Sequence, residues 1–280
     1  MKNGSVNISI VTYKEDPLVL KEALVSCSGF SGKGHIYLID HSPGNSLQKE
    51  IESFPKVRYV FNPENPGYGA GHNSAIKRSM DEGAKYHVVM NPDIYFEKDV
   101  IETIAGFMDE NENIGMLMPK ILFPNGQLQY LCKLLPTPFD LIFRRFIPGK
   151  KWKSERNNIY ELRFTKYNRT MRVPCLSGCF MVLRTSVLEK SGVFDEKFFM
   201  YLEDVDLCRR VGAISDNIYF PDAVVYHQYK KGSYKKINLL IKHIASAIKY
   251  FNKWGWITDH DRKKINCKTL KILHNRIDDI

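Results

Sequence analysis

Short β-branched runs alternate with helical stretches through the first half of this chain. The run Val6–Thr12 is typical of a strand, and Asp16 and Pro17 after it supply a helix N-cap and a first-turn proline. Further strands are predicted at 35–40, 57–61 and 86–90, with a helix at 69–82. Strands that alternate with helices connect by right-handed crossovers. The pattern therefore predicts an α/β fold with a mostly parallel, doubly wound sheet.

The second half is less regular. A strand at 115–123 and the turn Pro124–Gly126 predict a hairpin, and a strand at 178–184 and a short helix at 203–211 follow. An apolar stripe from Ile237 to Phe251 predicts a last helix that ends near Asn252. This stripe is compatible both with packing on the core and with an interfacial helix on a membrane.

Polar side chains follow three of the predicted strands. The first strand is followed by Tyr13 and Glu15 after its last residue Thr12, the second ends at Asp40, and the fourth is followed by Asn91 and Asp93. Ligands of open α/β sheets bind at the carboxyl ends of strands. One aspartate after a strand is more often a turn residue, but polar clusters at several strand ends favour a binding site.

The segment Asn65–Asn73 carries glycines at 67, 69 and 71 just before a helix. Such glycines let backbone N–H groups approach a phosphate, although a plain tight turn explains them equally well. Asp93 offers a single carboxylate on a turn, which together with diphosphate oxygens is how Mg or Mn is held at phosphate sites. The alternative is that Asp93 caps the next helix.

Three acids crowd the start of the helix at 203–211, namely Glu203, Asp204 and Asp206, just after an aromatic run. The helix dipole favours acids there. Crowded carboxylates beside an apolar wall also separate in pKa, which suits a general base. His227 ends an apolar strand, where a histidine is either structural or a metal ligand.

Together these motifs resemble the inverting glycosyltransferases of family 2, which have the GT-A fold, and within them the bacterial rhamnosyltransferase and galactofuranosyltransferase branch. The resemblance runs from about Val6 to His227. It implies Asp204 as the catalytic base, supported by Glu203, and Asp93 as a metal ligand, with His227 as a second one. The implied nucleotide-sugar residues are Thr12, Tyr13, Glu15, Asp40, Asn65, Gly67, Asn73, Asn91 and Asp93. The implied acceptor residues are Ser177, Gly178, Cys179 and Asp206.

The resemblance further implies a divalent metal cofactor, Mg or Mn, and a nucleotide-diphosphate sugar donor. We expect rhamnose from dTDP-rhamnose to be moved, with inversion, onto a saccharide or polyprenyl-diphosphate-linked acceptor in surface polysaccharide synthesis, such as O-antigen or capsule. The glycosyltransferase domain is predicted to span 1–228, with a nucleotide-sugar half at 1–115 and an acceptor half at 116–228. Residues 229–280 form a basic, amphipathic helical extension.

The net charge of +10 is unevenly distributed. Residues 228–280 hold 13 Lys and Arg against 4 Asp and Glu, and residues 133–172 hold 11 against 3. Such segments favour an anionic partner such as a membrane surface. With no apolar run long enough to span a bilayer and no leader pattern, a cytoplasmic protein is expected, either free or peripheral on the inner face of the membrane. The scattered cysteines are then buried thiols.

Three other functions fit the sequence less well. A sugar nucleotidyltransferase has a related fold but opens with a glycine-rich, basic loop, whereas this chain has Thr12–Glu15 there. A basic nucleic-acid or membrane-binding module explains the charge but not the acids at the strand ends, and no nucleic-acid motif is present. An inactive transferase scaffold is disfavoured because Asp93 and Asp204 are both in place.

Overall fold

The computed structural model describes residues 4–142, 150–228 and 237–275 of the 280-residue chain. The strands within them are β1 (Val6–Thr12), β2 (Ile36–Asp40), β3 (Val57–Phe61), β4 (Tyr86–Met90), β5 (Ile94–Phe96), β6 (Ile114–Leu122), β7 (Met171–Arg172), β8 (Phe180–Arg184) and β9 (Asp216–His227). The helices are α1 (Pro17–Ser28), α2 (Gln48–Ile51), α3 (Tyr68–Asp81), α4 (Val100–Glu110), α5 (Pro138–Leu141), α6 (Lys150–Tyr160), α7 (Thr185–Ser191), α8 (Glu203–Gly212), α9 (Ile237–Trp254) and α10 (His260–Asn275).

The strands form one sheet in the order β3-β2-β1-β4-β8-β6-β9-β5, with β7 beside β9. In the first half, β1 pairs in parallel with β2 and β4, and β2 pairs in parallel with β3. The helices α1, α2 and α3 make these parallel pairs possible, because each crossover returns the chain to the same edge of the sheet. The predicted strands and helices of this half are confirmed.

The second half of the sheet is mixed. β8 runs antiparallel to β4 and β6, β5 and β7 run antiparallel to β9, and β6 and β9 are parallel. The α/β class is confirmed, but strand spacing alone did not indicate these antiparallel neighbours. The predicted hairpin is short, since beyond β6 it consists of a turn and the single bridge Leu122–Leu128.

Apolar side chains bury β1, β2, β4 and β8 along their whole length. Because alternate side chains of a strand point to opposite faces, the sheet is covered on both faces along these strands. Each fully buried side chain, such as Ile10 or Leu38, contributes about 1.5–3 kcal/mol. Five cysteines are buried free thiols as predicted, whereas Cys267 is exposed.

The C-terminal region forms two helices. The predicted helix that ends near Asn252 is confirmed as α9, but it is not the last one, since α10 follows it. Phe251 and its α9 neighbours Ala247 and Tyr250 pack in an apolar cluster with Phe198 and Leu202. On the other face of α9, Ile241 and Ile248 are 59% and 42% exposed. Of the predicted stripe, Phe251 therefore packs on the core, whereas Ile241 and Ile248 face solvent. Residues 229–236 and 276–280 of this region lie outside the described residues.

Candidate active site

The polar strand ends come together at one edge of the sheet. Thr12 pairs with Asp40 at the ends of β1 and β2, and Asn91 follows β4, which is the other neighbour of β1. Thr12 is buried and its hydroxyl has no hydrogen-bond partner. Tyr13 is 53% exposed and Glu15 is partly exposed. A ligand bound at this edge would therefore contact both buried and solvent-accessible polar side chains.

Asp40 lies at this edge but is itself fully buried. Its carboxylate accepts hydrogen bonds from the backbone N–H of Ser42 (2.8 Å) and from the hydroxyl of Tyr59 (2.8 Å). Both of its oxygens thus accept hydrogen bonds from within the protein. Direct contact between Asp40 and a nucleotide stays a prediction.

The glycine-rich segment is shaped by its neighbour, the loop before α8. Gly67 has φ 109°, and a Cβ atom there would lie 2.3 Å from the carbonyl oxygen of Phe199. The same carbonyl accepts a hydrogen bond of 2.9 Å from the N–H of Tyr68. The prediction that this segment offers its N–H groups to phosphate is therefore wrong for Tyr68, and Gly67 is required by close packing. Asn65 before it is partly exposed, with a left-handed backbone (φ 48°).

The predicted role of Asn73 in the nucleotide-sugar pocket needs correction. Asn73 is buried, and its amide nitrogen donates to Phe194 O (2.9 Å) and to the carboxylate of Glu196 (2.9 Å). Its amide oxygen accepts from Phe194 N (3.0 Å). The whole side-chain amide thus holds the loop that leads to α8.

Tyr68, which the sequence reasoning missed, joins the two halves of the site. Its hydroxyl lies 2.7 Å from Gly178 O and 3.0 Å from the amide oxygen of Asn91. The phenol has one proton and a carbonyl can only accept, so both contacts are satisfied when the Asn91 amide is turned to donate. The ring lies 4.4 Å from the buried His72. The available signal was its position as the first residue of α3, directly after Gly67.

The electrostatics around Tyr68 show how acidic the site is. Burial raises the pKa of Tyr68 well above its ordinary value, and the nearby carboxyl groups of Glu203, Asp204 and Asp93 raise it further. These acids come from two separate parts of the sequence, the turn after β4 and the start of α8, and both act on one hydroxyl. The carboxylates of Asp93 and Asp204 favour a bound cation before an anionic diphosphate can enter.

Asp204 stands at the start of α8, partly exposed. One of its oxygens accepts the N–H of Gly178 (3.0 Å) and the other that of Val205 (2.8 Å). The segment before it is strained, because Tyr201 and Leu202 have left-handed backbones (φ 71° and 66°) at about 1–3 kcal/mol each. Strain of this kind collects at functional sites.

The predicted acceptor segment is the neighbour of Asp204. Ser177 is partly exposed, whereas Gly178 and Cys179 are buried. The carbonyl of Cys179 accepts the N–H of Asn91 (2.9 Å), and Gly178 bonds both Asp204 and Tyr68. The segment therefore connects the turn that carries Asp93 to the start of α8.

The other two acids of α8 differ sharply from Asp204. Glu203 is 5% exposed and one of its oxygens has no hydrogen-bond partner. Burial, with the charge of Asp204, raises the pKa of Glu203 well above its ordinary value. Asp206 is fully buried and bonded to Arg210, Lys253 and Trp254. The predicted contact of Asp206 with the acceptor is therefore wrong, since its oxygens are engaged inside the protein.

Asp93 and His227 form the candidate metal centre. The Nε2 atom of His227 lies 3.2 Å from Asp93 Oδ1, and its Nδ1 atom lies 3.1 Å from the amide oxygen of Gln129. Burial lowers the pKa of His227, but hydrogen bonds to Asp93 and Cys179 outweigh burial and raise the pKa to about 10. Without metal, a proton on His227 thus pairs with Asp93, and a cation would replace that proton.

The donor set fits a metal shared with a substrate. No group of three or more His, Cys, Asp or Glu side chains in the described ranges could hold a metal by itself. One carboxylate and one imidazole leave most coordination positions to water and diphosphate oxygens, which is how Mg and Mn are held at phosphate sites. Gln129 bonds the Nδ1 atom of His227 and so orients the ring with Nε2 toward Asp93, which is how a residue beyond the metal ligands orients a metal-binding histidine.

The chain is similar to known glycosyltransferases over most of its length. The family model described as "Glycosyl transferase family 2" matches residues 8–192. A low-salt glycan biosynthesis hexosyltransferase of Haloferax volcanii is 27% identical over 219 residues, 76% of this chain. The chain spans 63% of that relative's length. An N-acetylglucosaminyl-diphospho-decaprenol L-rhamnosyltransferase of Mycobacterium tuberculosis is 28% identical over 232 residues, 78% of this chain and 74% of the relative.

Among solved structures, GalNAc-T7 with UDP, GalNAc and Mn2+ superposes with a TM-score of 0.62 at 14% identity. The superposition covers 82% of this chain and 44% of that chain. The shared architecture is the GT-A fold, which confirms the fold expected from the motifs. The family match includes the strand ends and the Asn91–Asp93 turn, and it ends before Asp204.

Proposed function

The chain belongs to glycosyl transferase family 2, and from that premise we propose that it is an inverting glycosyltransferase that moves a sugar from a nucleotide diphosphate. The observation that carries the proposal is the junction at Tyr68, which joins the Asp93 turn to the Asp204 helix through Asn91 and Gly178. Donor diphosphate and acceptor hydroxyl would meet across this junction.

Asp204 takes the proton of the acceptor hydroxyl. Its two backbone hydrogen bonds hold the carboxylate in one orientation. The acceptor oxygen attacks the anomeric carbon on the face opposite the diphosphate, and the carbon–oxygen bond to the diphosphate breaks. One such displacement inverts the anomeric configuration. Burial raises the pKa of the Glu203 carboxyl, which favours its protonated form and leaves the negative charge on Asp204.

Asp93 and His227 would hold Mg or Mn, which when bound neutralises charge on the leaving diphosphate. The GalNAc-T7 structure, which was solved with UDP and Mn2+, supports a divalent cation in proteins of this fold. Thr12, Tyr13, Glu15 and Asp40 line the edge where the nucleoside would lie.

For the donor sugar we propose rhamnose from dTDP-rhamnose, and for the acceptor a lipid-linked saccharide of surface polysaccharide synthesis. The support is the mycobacterial relative, whose name describes an L-rhamnosyltransferase acting on N-acetylglucosaminyl-diphospho-decaprenol. That relative matches most of this chain at modest identity.

A lipid-linked acceptor would require approach to a membrane. Across the described ranges, no helix is both long and apolar enough to cross a bilayer. The exposed side chains of Ile241 and Ile248 on α9, and Ile257 after it, stand in a strongly basic region. We therefore propose peripheral binding to an anionic surface. Sedimentation with anionic against zwitterionic vesicles tests this, and equal recovery would contradict it.

The experiment that tests the function is calorimetry with UDP, dTDP, GDP and CMP, each with and without Mn2+ or Mg2+. Binding of one nucleoside diphosphate, strengthened by metal, is expected. Transfer from the matching sugar nucleotide should then give a product of inverted anomeric configuration by NMR. The absence of metal-strengthened binding for every nucleotide would contradict the proposal.

A further inference from the structure

The start of α8 is tied to the C-terminal helices through Asp206. This side chain is fully buried, and one of its oxygens accepts hydrogen bonds from the indole N–H of Trp254 (2.8 Å) and from Lys253 Nζ (2.8 Å). Its other oxygen bonds Arg210 Nε (2.9 Å). Asp206 lies two residues after Asp204, so the last turn of α9 fixes the first turn of α8.

A second tie joins α8 to the turn after α9. Arg209 and Asp259 form two parallel hydrogen bonds of 2.6 and 2.7 Å with side chains only 5% and 3% exposed. The guanidinium of Arg209 also lies 4.2 Å from the ring centroid of Trp254. A buried, bidentate pair of this kind fixes direction as well as distance.

The loop before α8 is held by the same helix. Ser246 donates to Met200 O (2.8 Å), and Lys249 donates to Lys197 O (2.6 Å). Lys253 reaches Asp195 as well (2.7 Å). Successive turns of α9 thus hold the segment that ends in the left-handed residues Tyr201 and Leu202.

We propose that α9 and the turn after it are the positioning element of the catalytic base, with Trp254 and Asp259 as its principal side chains. The inference rests on the proposed function, because it assumes that Asp204 is the base. Asp204 is bonded only to backbone N–H groups among its described hydrogen bonds, so its place depends on where α8 begins. The family match ends at residue 192, so this element lies outside it.

The matched pair of variants is Trp254→Phe and Trp256→Phe. The first deletes the N–H that bonds Asp206 and keeps a ring beside Arg209. The second deletes an N–H with a bond of equal length, 2.8 Å, to the exposed Asn252. Because a misplacement of about 1 Å can lower turnover about 100-fold, Trp254→Phe is expected to lower kcat by about tenfold or more with the donor KM unchanged. Trp256→Phe should behave as wild type.

Amide hydrogen exchange of residues 203–212 gives a readout that needs no activity. Trp254→Phe, and Asp259→Asn as a second variant, should speed exchange there while β1 and β4 stay protected. Wild-type kcat and unchanged exchange in both variants would overturn the positioning role. If wild type itself transfers no sugar, the proposed function fails, and the exchange still decides whether α9 holds α8. If kcat falls equally in Trp254→Phe and in the control Trp256→Phe, the positioning role is also overturned.

Discussion

Replacing Gly67 by alanine tests the contact on which the site depends. The new Cβ would lie 2.3 Å from Phe199 O and 2.9 Å from its carbonyl carbon, in a backbone conformation (φ 109°) that L-residues rarely adopt. We expect about 1–3 kcal/mol from backbone strain and about 1–3 kcal/mol from overpacking. The variant should therefore lose about 2–6 kcal/mol of unfolding free energy. Relief of the clash would move Tyr68 away from Asn91 and Gly178, so transfer should fall as well.

The control is Gly83→Ala, in the turn after α3. Gly83 also has a left-handed backbone (φ 68°), but nothing lies within 4 Å of a Cβ there. Its replacement should cost only the conformational penalty of about 1–2 kcal/mol and leave transfer unchanged. Equilibrium urea unfolding measures both variants. Equal losses in the two would refute the close approach of residues 65–67 to Phe199.

Three further predictions follow from the same geometry. Tyr68→Phe removes the hydroxyl between Gly178 and Asn91, so urea unfolding should show that the unfolding free energy falls by about 1–3 kcal/mol. In steady-state assays kcat should fall while donor affinity is kept. Unchanged kcat would contradict the bridging role. Gln129→Leu removes the hydrogen bond to Nδ1 of His227, so calorimetry should show metal-dependent nucleotide binding weakened by about 10–100-fold. Undiminished affinity would count against this metal centre. Because the pKa of Glu203 is raised in the folded protein, this carboxyl should cost wild type stability as pH rises above its unfolded pKa of about 4.3, whereas Glu203→Gln lacks this cost. Urea unfolding at pH 4 and pH 8 should therefore show that the unfolding free energy of the variant, relative to wild type, increases with pH. A difference that does not change with pH would refute the raised pKa of Glu203.

What the sequence predicted correctly rests on local rules. Asp16 was predicted as an N-cap from its place before Pro17, and its side chain does accept the N–H of Leu18 (3.0 Å). Strand ends were located because alternating strands and helices bring their carboxyl ends to one edge. The acids at the start of α8 were recognisable from their crowding.

What the sequence could not predict depends on contacts between distant residues. Asn73 looked like a pocket residue, but it bonds Phe194, 121 positions away. Asp206 was read with its neighbours as part of the site, yet Trp254, 48 positions on, engages it. The period of a helix shows which residues share a face but not which partner lies opposite that face.

The central claim is that Asp204 removes the proton of the acceptor hydroxyl. The direct measurement is single-turnover transfer by Asp204→Asn, with donor binding measured in parallel and Asp222→Asn, an exposed carboxylate on β9, as the control. Because general base catalysis contributes about 10²–10⁴-fold, we expect a loss of that size for Asp204→Asn with donor binding kept, and wild-type transfer for Asp222→Asn. Transfer by Asp204→Asn at the wild-type rate would contradict it.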